Sequence, residues 1–404
     1  MKSYLFSIFK LDRSILVFIM GWSVIGLVSG VISVLANLYL LSIGFDISFL
    51  GYLNGSSQII WALFAFPAGM IGSRFGLRKS VIAAYWVVSL GLAVFLSAAW
   101  LPHPFWVAGL LLGNGLIGVA AALVSVNGIP YLMAIVSEQD RNKVFALQSA
   151  LFTLSAFLGS LAAGTLPDFL IHQLPGMLDQ SKAFNLVMWL AVPAYILTAL
   201  LMRTLKPEPK IIQENKEQSL KLAPVAILLF LGLFFGVQMS SENAVIMFVN
   251  VYFAENLNQP ASMVGAVFAA ARLLPFIASP LQPLVLNRWR SGRVLAGSYL
   301  LVAICVTIMA LVPTLTAAVT LYVLFSILTS FSATARSLFG QESVHAQWRT
   351  TSSAVLSFSQ AVAAGLIGFG AGAILNTGGF RGMFLSGATL ALIAALMYAI
   401  RQRR

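Results

Sequence analysis

The sequence predicts an all-α membrane protein with twelve transmembrane helices in two pseudo-symmetric six-helix halves. Composition is the first observation behind this fold class, because 59% of the 404 residues are hydrophobic and 9% are charged. Soluble domains have about 45–50% apolar and about 25% charged residues. A soluble globule of this size cannot bury so much apolar surface, so the composition excludes an ordinary soluble enzyme and a disordered chain.

The second observation is a series of apolar runs separated by charged or Pro/Gly-rich breaks. A spanning helix needs about 20 apolar residues, and each run has at least that length. The first run is too long for the apolar core of a signal peptide, so we predict that it is a span. In chain order, the predicted helices are 14–41, 47–72, 79–101, 104–136, 142–170, 183–203, 222–254, 261–287, 293–312, 315–340, 350–375 and 380–400.

The third observation is an internal duplication. Asn37 begins an Asn-Leu-Tyr stretch that matches the Asn-Val-Tyr stretch at Asn250, and Pro67 matches Pro280 at the same offset of 213 residues. We therefore predict two parallel repeats, at 1–204 and 222–404. They are joined by a cytoplasmic linker at 205–221, which is the only long polar segment of the sequence.

Small residues at a spacing of four occupy helices 5 and 11 at an offset of 208 residues. This spacing places them on one helix face, where two backbones can approach closely. Such a face serves either static packing or sliding during a conformational change. The two patterns are Ala156-x3-Ser160-x3-Gly164 and Ala364-x3-Gly368-x3-Gly372, and we predict packing roles for Gly164, Gly368 and Gly372.

The distribution of basic residues orients the chain. Of the 24 Lys and Arg residues, 20 lie on one side of the predicted topology, two lie on the other side and two lie inside helices. Because loops rich in Lys and Arg stay in the cytoplasm, we predict an integral protein of the cell (inner) membrane with both termini cytoplasmic. The net charge of +12 is therefore a topology signal and does not indicate nucleic-acid binding.

The loop after helix 2 carries a motif, GMIGSRFGLRK at positions 69–79. It resembles the signature of the major facilitator superfamily, G-x-x-x-D-R-x-G-R-R/K-R/K, although Ser73 replaces the acid and Leu77 replaces an Arg. A degenerate copy lies at 287–293, in the equivalent loop of the second half. The resemblance implies the fold of that family and a cytoplasmic gate formed by Gly69, Arg74, Gly76, Arg78 and Lys79. The alternative is that the basic residues only fix topology.

The resemblance also implies a secondary active transporter that moves a small molecule by alternating access of two rocking halves. Proton coupling is one option, and export is slightly preferred to uptake. A facilitated-diffusion carrier, a lipid or amphiphile flippase and, from another class, a non-transporting receptor or sensor are the alternatives. The sequence has no nucleotide-binding loop of the form G-x-x-x-x-G-K-[ST], so we expect facilitated diffusion or coupling to an ion gradient. We also expect no cofactor, no metal and no enzyme activity, because the three histidines lie far apart and the closely spaced acids lie in loops without a histidine. One chain holds a full transport unit, so a monomer suffices.

Ionisable groups inside spans are the strongest functional candidates, because each costs roughly 2.5–3.5 kcal/mol to insert. The resemblance implies a polar cavity lined by helices 1, 4, 7 and 10. Glu242 is the candidate proton carrier, and Arg272 or Arg336 could bind an anionic group. Alternatively, Glu242 and Arg272 form a fixed ion pair, and Arg336 reaches the membrane surface or pairs with Glu342. The predicted cavity residues are Glu242, Gln238, Arg272, Arg336, Asn37 and Asn127.

Overall fold

The computed structural model describes residues 12–207, 225–345 and 348–402. All regular structure in these ranges is helical, as the apolar runs predict. Ten helices of the described chain are long and apolar enough to cross a membrane. Most of the linker predicted at 205–221 lies outside the described residues.

Six helical segments precede the linker. Their bounds agree with the predicted spans to within a few residues. Helix α6 is interrupted at Leu190, which has the backbone angles φ −60° and ψ −23°. The segments are α1 (Arg13–Ser42), α2 (Ile47–Phe75), α3 (Leu77–Ser97), α4 (Trp106–Ile135), α5 (Arg141–Gln173) and α6 (Gln180–Trp189 with Ala191–Met202).

Six more segments follow the linker. Helix α7 is Val225–Ile246, continued after a break by Val249–Val251 and a π-helical turn at Tyr252–Asn256. Helix α8 is Ala261–Ala278, continued by Gln282–Arg288. The next two helices are α9 (Ser291–Leu311) and α10 (Leu315–Glu342).

The last helical stretch, Arg349–Gln402, contains 54 residues. At 1.5 Å per residue it would be about 80 Å long, whereas the hydrocarbon core of a bilayer is about 30 Å thick. The backbone leaves helical geometry at Gly379, where φ is 57° and ψ is −163°. We therefore divide it into α11 (349–378) and α12 (380–402), which agrees with the helices predicted at 350–375 and 380–400.

Helix α2 is long enough to span a membrane but is not among the ten apolar helices. Its polar residues at 54 and 56–58 reduce its apolar character. With α2 and the division of the last stretch, the described chain is consistent with twelve spans. The architecture is that of an all-α membrane protein.

The chain forms two compact units. In described residues, the first contains 12–35 and 60–207, and the second contains 36–59, 225–345 and 348–402. The end of α1 and the start of α2 thus pack with the second unit, although they belong to the first repeat. The two units are defined by packing and not by sequence similarity. The repeats predicted at 1–204 and 222–404 therefore stay a prediction.

Within the first unit, small residues let helices pack backbone to backbone. A Cβ added at Gly30 of α1 would lie 2.2 Å from the Ala156 carbonyl oxygen of α5, and one added at Gly159 would lie 2.0 Å from the Leu27 carbonyl oxygen. Neither contact leaves room for a side chain. The small-residue face predicted in helix 5 is therefore the face that meets α1.

The loop before α6 ends in a side-chain cap. The Asp179 carboxylate accepts a hydrogen bond of 2.8 Å from the backbone N–H of Lys182, and this bond is the largest cause that lowers the pKa of Asp179 to about 2. A charged carboxylate at this position satisfies a free amide of the first turn. The cap therefore fixes where α6 begins.

Candidate functional site

The second unit contains a buried ionic cluster built from three helices. Arg336 of α10 donates from Nη1 to Glu242 Oε1 of α7 at 3.1 Å and to the Tyr299 hydroxyl of α9 at 2.8 Å. The Tyr299 hydroxyl in turn donates to Glu242 Oε1. Glu242 is 7% exposed and Arg336 is 3% exposed. Each of three separate helices therefore contributes one group to a closed hydrogen-bonded triangle, which we call the ionic triad.

The two carboxylate oxygens of Glu242 have different surroundings. Both hydrogen bonds that Glu242 accepts within the triad reach Oε1. Among the described residues, Oε2 has no hydrogen-bond partner, although a carboxylate oxygen can accept two bonds. Glu242 as a whole is 7% exposed. Oε1 thus fixes the side chain, and Oε2 is the oxygen that can take a proton or accept a bond from a ligand.

Gln238 lies one helical turn before Glu242, on the same face of α7. Its side chain is fully buried, and neither its amide oxygen nor its amide nitrogen has a hydrogen-bond partner in the described part of the chain. Leaving a buried polar group unsatisfied costs about 1–3 kcal/mol. The amide is therefore suited to bind a water or a ligand that offers both a donor and an acceptor.

Two further candidates, Asn127 and Arg272, do not belong to the triad. Asn127 of α4 donates to the Ala68 carbonyl of α2 at 3.0 Å and to the Leu123 carbonyl of its own helix at 3.1 Å. It is 1% exposed and joins two helices of the first unit. Arg272 of α8 is half-buried and interacts electrostatically with Tyr322 of α10.

The partner of Glu242 differs from the fixed pair considered from sequence. The carboxylate pairs with Arg336 instead of Arg272. Arg336 is buried, so it does not reach the membrane surface, and Glu342 instead accepts a hydrogen bond from the Ser291 hydroxyl. The triad therefore joins two predicted cavity residues, and Gln238 is adjacent to it.

Asn37 belongs to a second polar cluster, at the break in α7. Its Nδ2 donates to the Met247 carbonyl at 2.8 Å and to Asn250 Oδ1 at 3.1 Å, and its Oδ1 accepts from Asn54 Nδ2 at 3.1 Å. Asn250 Oδ1 also accepts from the Val251 N–H at 2.9 Å. The side chains thus satisfy backbone groups at the helix break, as irregular backbone inside a membrane requires. We call these residues (Asn37, Asn54 and Asn250) the asparagine cluster.

The predicted packing glycines of helix 11 meet the start of α2. A Cβ at Gly368 would lie 2.6 Å from the Gly55 Cα, and one at Gly372 would lie 2.8 Å from the Ser48 Cβ. This contact belongs to the second unit, beside the asparagine cluster. Gly164 in α5 is buried. The equivalent patterns in helices 5 and 11 therefore meet different helices, α1 and α2.

The motif loop between α2 and α3 has a defined geometry. Gly76 adopts φ 98° and ψ 144°, which is open almost only to glycine. Arg78 donates to the Arg203 carbonyl at the end of α6, where carbonyls lack helical partners. Arg74 is exposed and lies over the Phe75 ring, 5.5 Å from its centroid, and Lys79 is exposed.

Gly76→Ala is expected to destabilise the protein by about 1–3 kcal/mol, because a side chain must adopt this strained backbone conformation. Gly69→Ala is the matched control, since a Cβ there would lie 3.7 Å from its nearest neighbour, Val126 Cγ1. Thermal unfolding in detergent measures the difference. Equal melting temperatures for the two variants would show that the loop adapts at no cost.

Sequence reasoning missed Tyr299, because a tyrosine in an apolar run is equally compatible with packing. The duplication carried a signal: Tyr85 of α3 precedes it by 214 residues, the offset that relates Arg74 to Arg288. Both tyrosines are almost fully buried. The match between Tyr85 and Tyr299 could therefore be detected from the sequence, although the hydrogen-bond partners of Tyr299 could not.

Comparisons with known proteins agree with this architecture. A family profile, the Major Facilitator Superfamily, matches residues 14–368. No curated protein matches the sequence. Solved structures, by contrast, share the fold over nearly their whole length.

Three of these structures illustrate the similarity. A mutant of the nucleoside transporter NupG is 13% identical with a TM-score of 0.78, covering 96% of this chain and 99% of that chain. A bacterial homolog of the human lysosomal transporter Spinster is 16% identical with a TM-score of 0.76, covering 96% of each chain. A D-xylose-proton symporter is 15% identical with a TM-score of 0.75, covering 98% and 97%. At these identities the similarity shows the fold alone.

Proposed function

Because the chain belongs to the major facilitator superfamily, we propose that it is a secondary active transporter that couples movement of a small molecule to protons at Glu242. The ionic triad is the observation that carries this proposal. Glu242 is an ionisable group inside a span, and such groups are expensive to insert and mark ion pathways. Its free Oε2 gives a proton a place to bind.

Protonation would change the forces in the triad. With Glu242 ionised, its carboxylate attracts the Arg336 guanidinium in a low-dielectric interior, where the attraction is stronger than in water. A proton on the carboxyl removes that charge and weakens the links between α7, α9 and α10. During alternating access, Glu242 then takes up a proton on one side of the membrane and releases it on the other. Release occurs in the state in which the carboxylate is fully paired with Arg336.

The substrate proposed here is a small polar molecule. Gln238 supports this choice, because its unsatisfied amide offers one acceptor and a donor group beside the triad. When Glu242 is neutral, Arg336 can also accept an anionic group. The substrate would therefore bind where its polar groups replace the bonds that the triad gives up.

Glu242→Gln tests the proposal, because it mimics the protonated carboxyl at nearly constant size. In proteoliposomes it should abolish accumulation driven by an imposed pH gradient and leave substrate exchange intact. The control is Glu255→Gln, the same change at an exposed residue near the end of α7. The substrate is first found by a transport screen of the unaltered protein with and without the gradient.

Other outcomes assign the alternatives. Gradient-independent flux in the unaltered protein, unchanged in Glu242→Gln, would indicate a facilitated-diffusion carrier. Scrambling of labelled lipid between leaflets would indicate a flippase. Binding without flux would indicate a receptor or sensor. Each of these results would contradict proton coupling at Glu242.

Alternating access also requires the asparagine cluster to open, since it holds 36–59 against α7. Asn37→Ala removes three hydrogen bonds, together worth about 1.5–4.5 kcal/mol, so 36–59 should exchange amide hydrogens roughly 10- to 2,000-fold faster. The control is Asn243→Ala, because within the described residues the Asn243 side chain bonds only the Met239 carbonyl of its own helix. Unchanged amide exchange in Asn37→Ala would show that the asparagine cluster does not hold 36–59 against α7.

The remaining parts of the proposal concern placement. We place the protein in the cell (inner) membrane as a monomer with both termini cytoplasmic, and the bias of 20 basic residues against two supports this orientation.

Export is the proposed direction of transport. Collapse of the proton gradient in cells should then raise the internal substrate concentration, whereas a proton-driven importer would lose it.

A further inference from the structure

A cavity separate from the ionic triad lies where α8, α9 and α10 meet at one membrane surface. Its volume is about 540 Å³, and its lining includes Arg288, Trp289, Arg290, Ser291, Leu338 and Glu342. Two spanning helices, α8 and α9, end and begin here with only Trp289 and Arg290 between them. A turn this short between two spans must lie at the surface of the bilayer.

The charges of this surface cavity favour an anion. Arg288 and Arg290 are both exposed at its wall. Their guanidinium groups suit phosphate geometry, since each presents a planar fork of donors. One carboxylate, Glu342, opposes them, and it already accepts a bond from the Ser291 hydroxyl. The lining therefore keeps one net positive charge, and the N-terminus of α9 adds a partial positive charge.

The uncharged part of the lining favours a lipid. Trp289 is 56% exposed and Leu338 is 38% exposed, and tryptophan prefers the level of lipid headgroups. Free phosphate would leave these apolar surfaces without a partner. A glycerophospholipid offers a phosphodiester to the arginines and an apolar glycerol and acyl region to Trp289 and Leu338.

We propose that this surface cavity binds the headgroup of an anionic phospholipid. Arg288 and Arg290 hold the phosphodiester, and Trp289 packs against the glycerol backbone. Basic pockets between spanning helices are suited to such headgroups. This site does not depend on the proposed transport function, because it requires only that the chain spans a membrane.

A lipid bound at this site would affect the ionic triad through the contact between α9 and α10. Ser291 and Tyr299 both lie on α9, and their partners Glu342 and Arg336 both lie on α10. Ser291 and Tyr299 are eight residues apart, which is about 12 Å along a helix. A headgroup that fixes the end of α9 against α10 therefore supports the same pair of helices that carries the triad.

Native mass spectrometry of the full-length protein in a neutral detergent tests the proposal. Phosphatidylglycerol should bind more tightly than phosphatidylcholine, and Arg288→Gln/Arg290→Gln should weaken phosphatidylglycerol binding by about 10- to 30-fold, given roughly 1 kcal/mol per basic residue. Arg293→Gln/Arg349→Gln is the matched control, because it removes two exposed arginines that do not line the cavity. Trp289→Ala should weaken lipid binding and keep the fold, as checked by its melting temperature.

Three outcomes would overturn the proposal. Equal phosphatidylglycerol binding by Arg288→Gln/Arg290→Gln and the unaltered protein would exclude the cavity as the site. An equal loss in the control pair would show only diffuse attraction to a basic surface. Inorganic phosphate that displaces the lipid at millimolar concentration, with no effect of Trp289→Ala, would show a free-phosphate site instead of a lipid site.

Discussion

Arg336→Met is expected to destabilise the protein by about 3–5 kcal/mol, the usual cost of leaving one charge of a buried pair without its partner. Arg336 is 3% exposed and bonds both Glu242 and Tyr299. The variant leaves the Glu242 carboxylate with the Tyr299 hydroxyl as its one described donor. Unfolding in detergent, with folded protein followed by its melting temperature, measures the loss.

The double variant Glu242→Gln/Arg336→Met is the decisive control. It removes both charges at similar side-chain volume, so most of the lost stability should return. The ionic triad would then contribute little net stability, which agrees with a role in transport. If the double variant is as unstable as Arg336→Met, the loss comes from packing around α10, and the charges are not its cause.

Gly368→Ala is expected to cost about 1–3 kcal/mol and to impair transport, because overpacked contacts force the backbones apart. The added methyl group would lie 2.6 Å from the Gly55 Cα and 2.9 Å from the Gly51 carbonyl oxygen. Both neighbours are backbone atoms, so no side chain can turn away to make room. Helices α2 and α11 must separate along this contact.

Gly370→Ala provides a control of identical chemistry two residues away. No atom of the described chain lies within 4 Å of a Cβ at Gly370, and alanine has a higher helix propensity than glycine by about 1 kcal/mol. This variant should therefore be neutral or slightly stabilising. Both variants are compared by thermal unfolding and by uptake into proteoliposomes. Equal results for Gly368→Ala and Gly370→Ala would contradict the close-packing argument.

The fold was predictable because its signals are local. An apolar run of sufficient length is a spanning helix wherever it lies in the chain, and the fourfold spacing of small residues places Gly368 and Gly372 on one face. Glu242 was also visible, since a carboxylate inside an apolar run stands out from its neighbours. Each of these features depends on residues within one helix.

The arrangement of the candidate site was less predictable, because it depends on the rotation and depth of helices distant in sequence. From sequence, Arg272 was the partner considered for Glu242, whereas the structure pairs Glu242 with Arg336. The difference lies in how α8 and α10 face α7. Asn127 looked like a cavity residue because it is polar, yet its amide joins α4 to α2. A polar residue inside a span needs a hydrogen-bond partner, but the sequence does not identify that partner.

The hydrogen bond between Asn37 and Asn250 joins equivalent positions of the predicted duplication. Under that prediction, one ancestral codon specified both residues, and the contact formed between two identical subunits, as in isologous dimers. Asparagine suits such self-recognition, because its amide carries both a donor and an acceptor. Under the same prediction, fusion of the copies freed the two positions to evolve independently, and their identity would preserve a contact of the ancestral dimer.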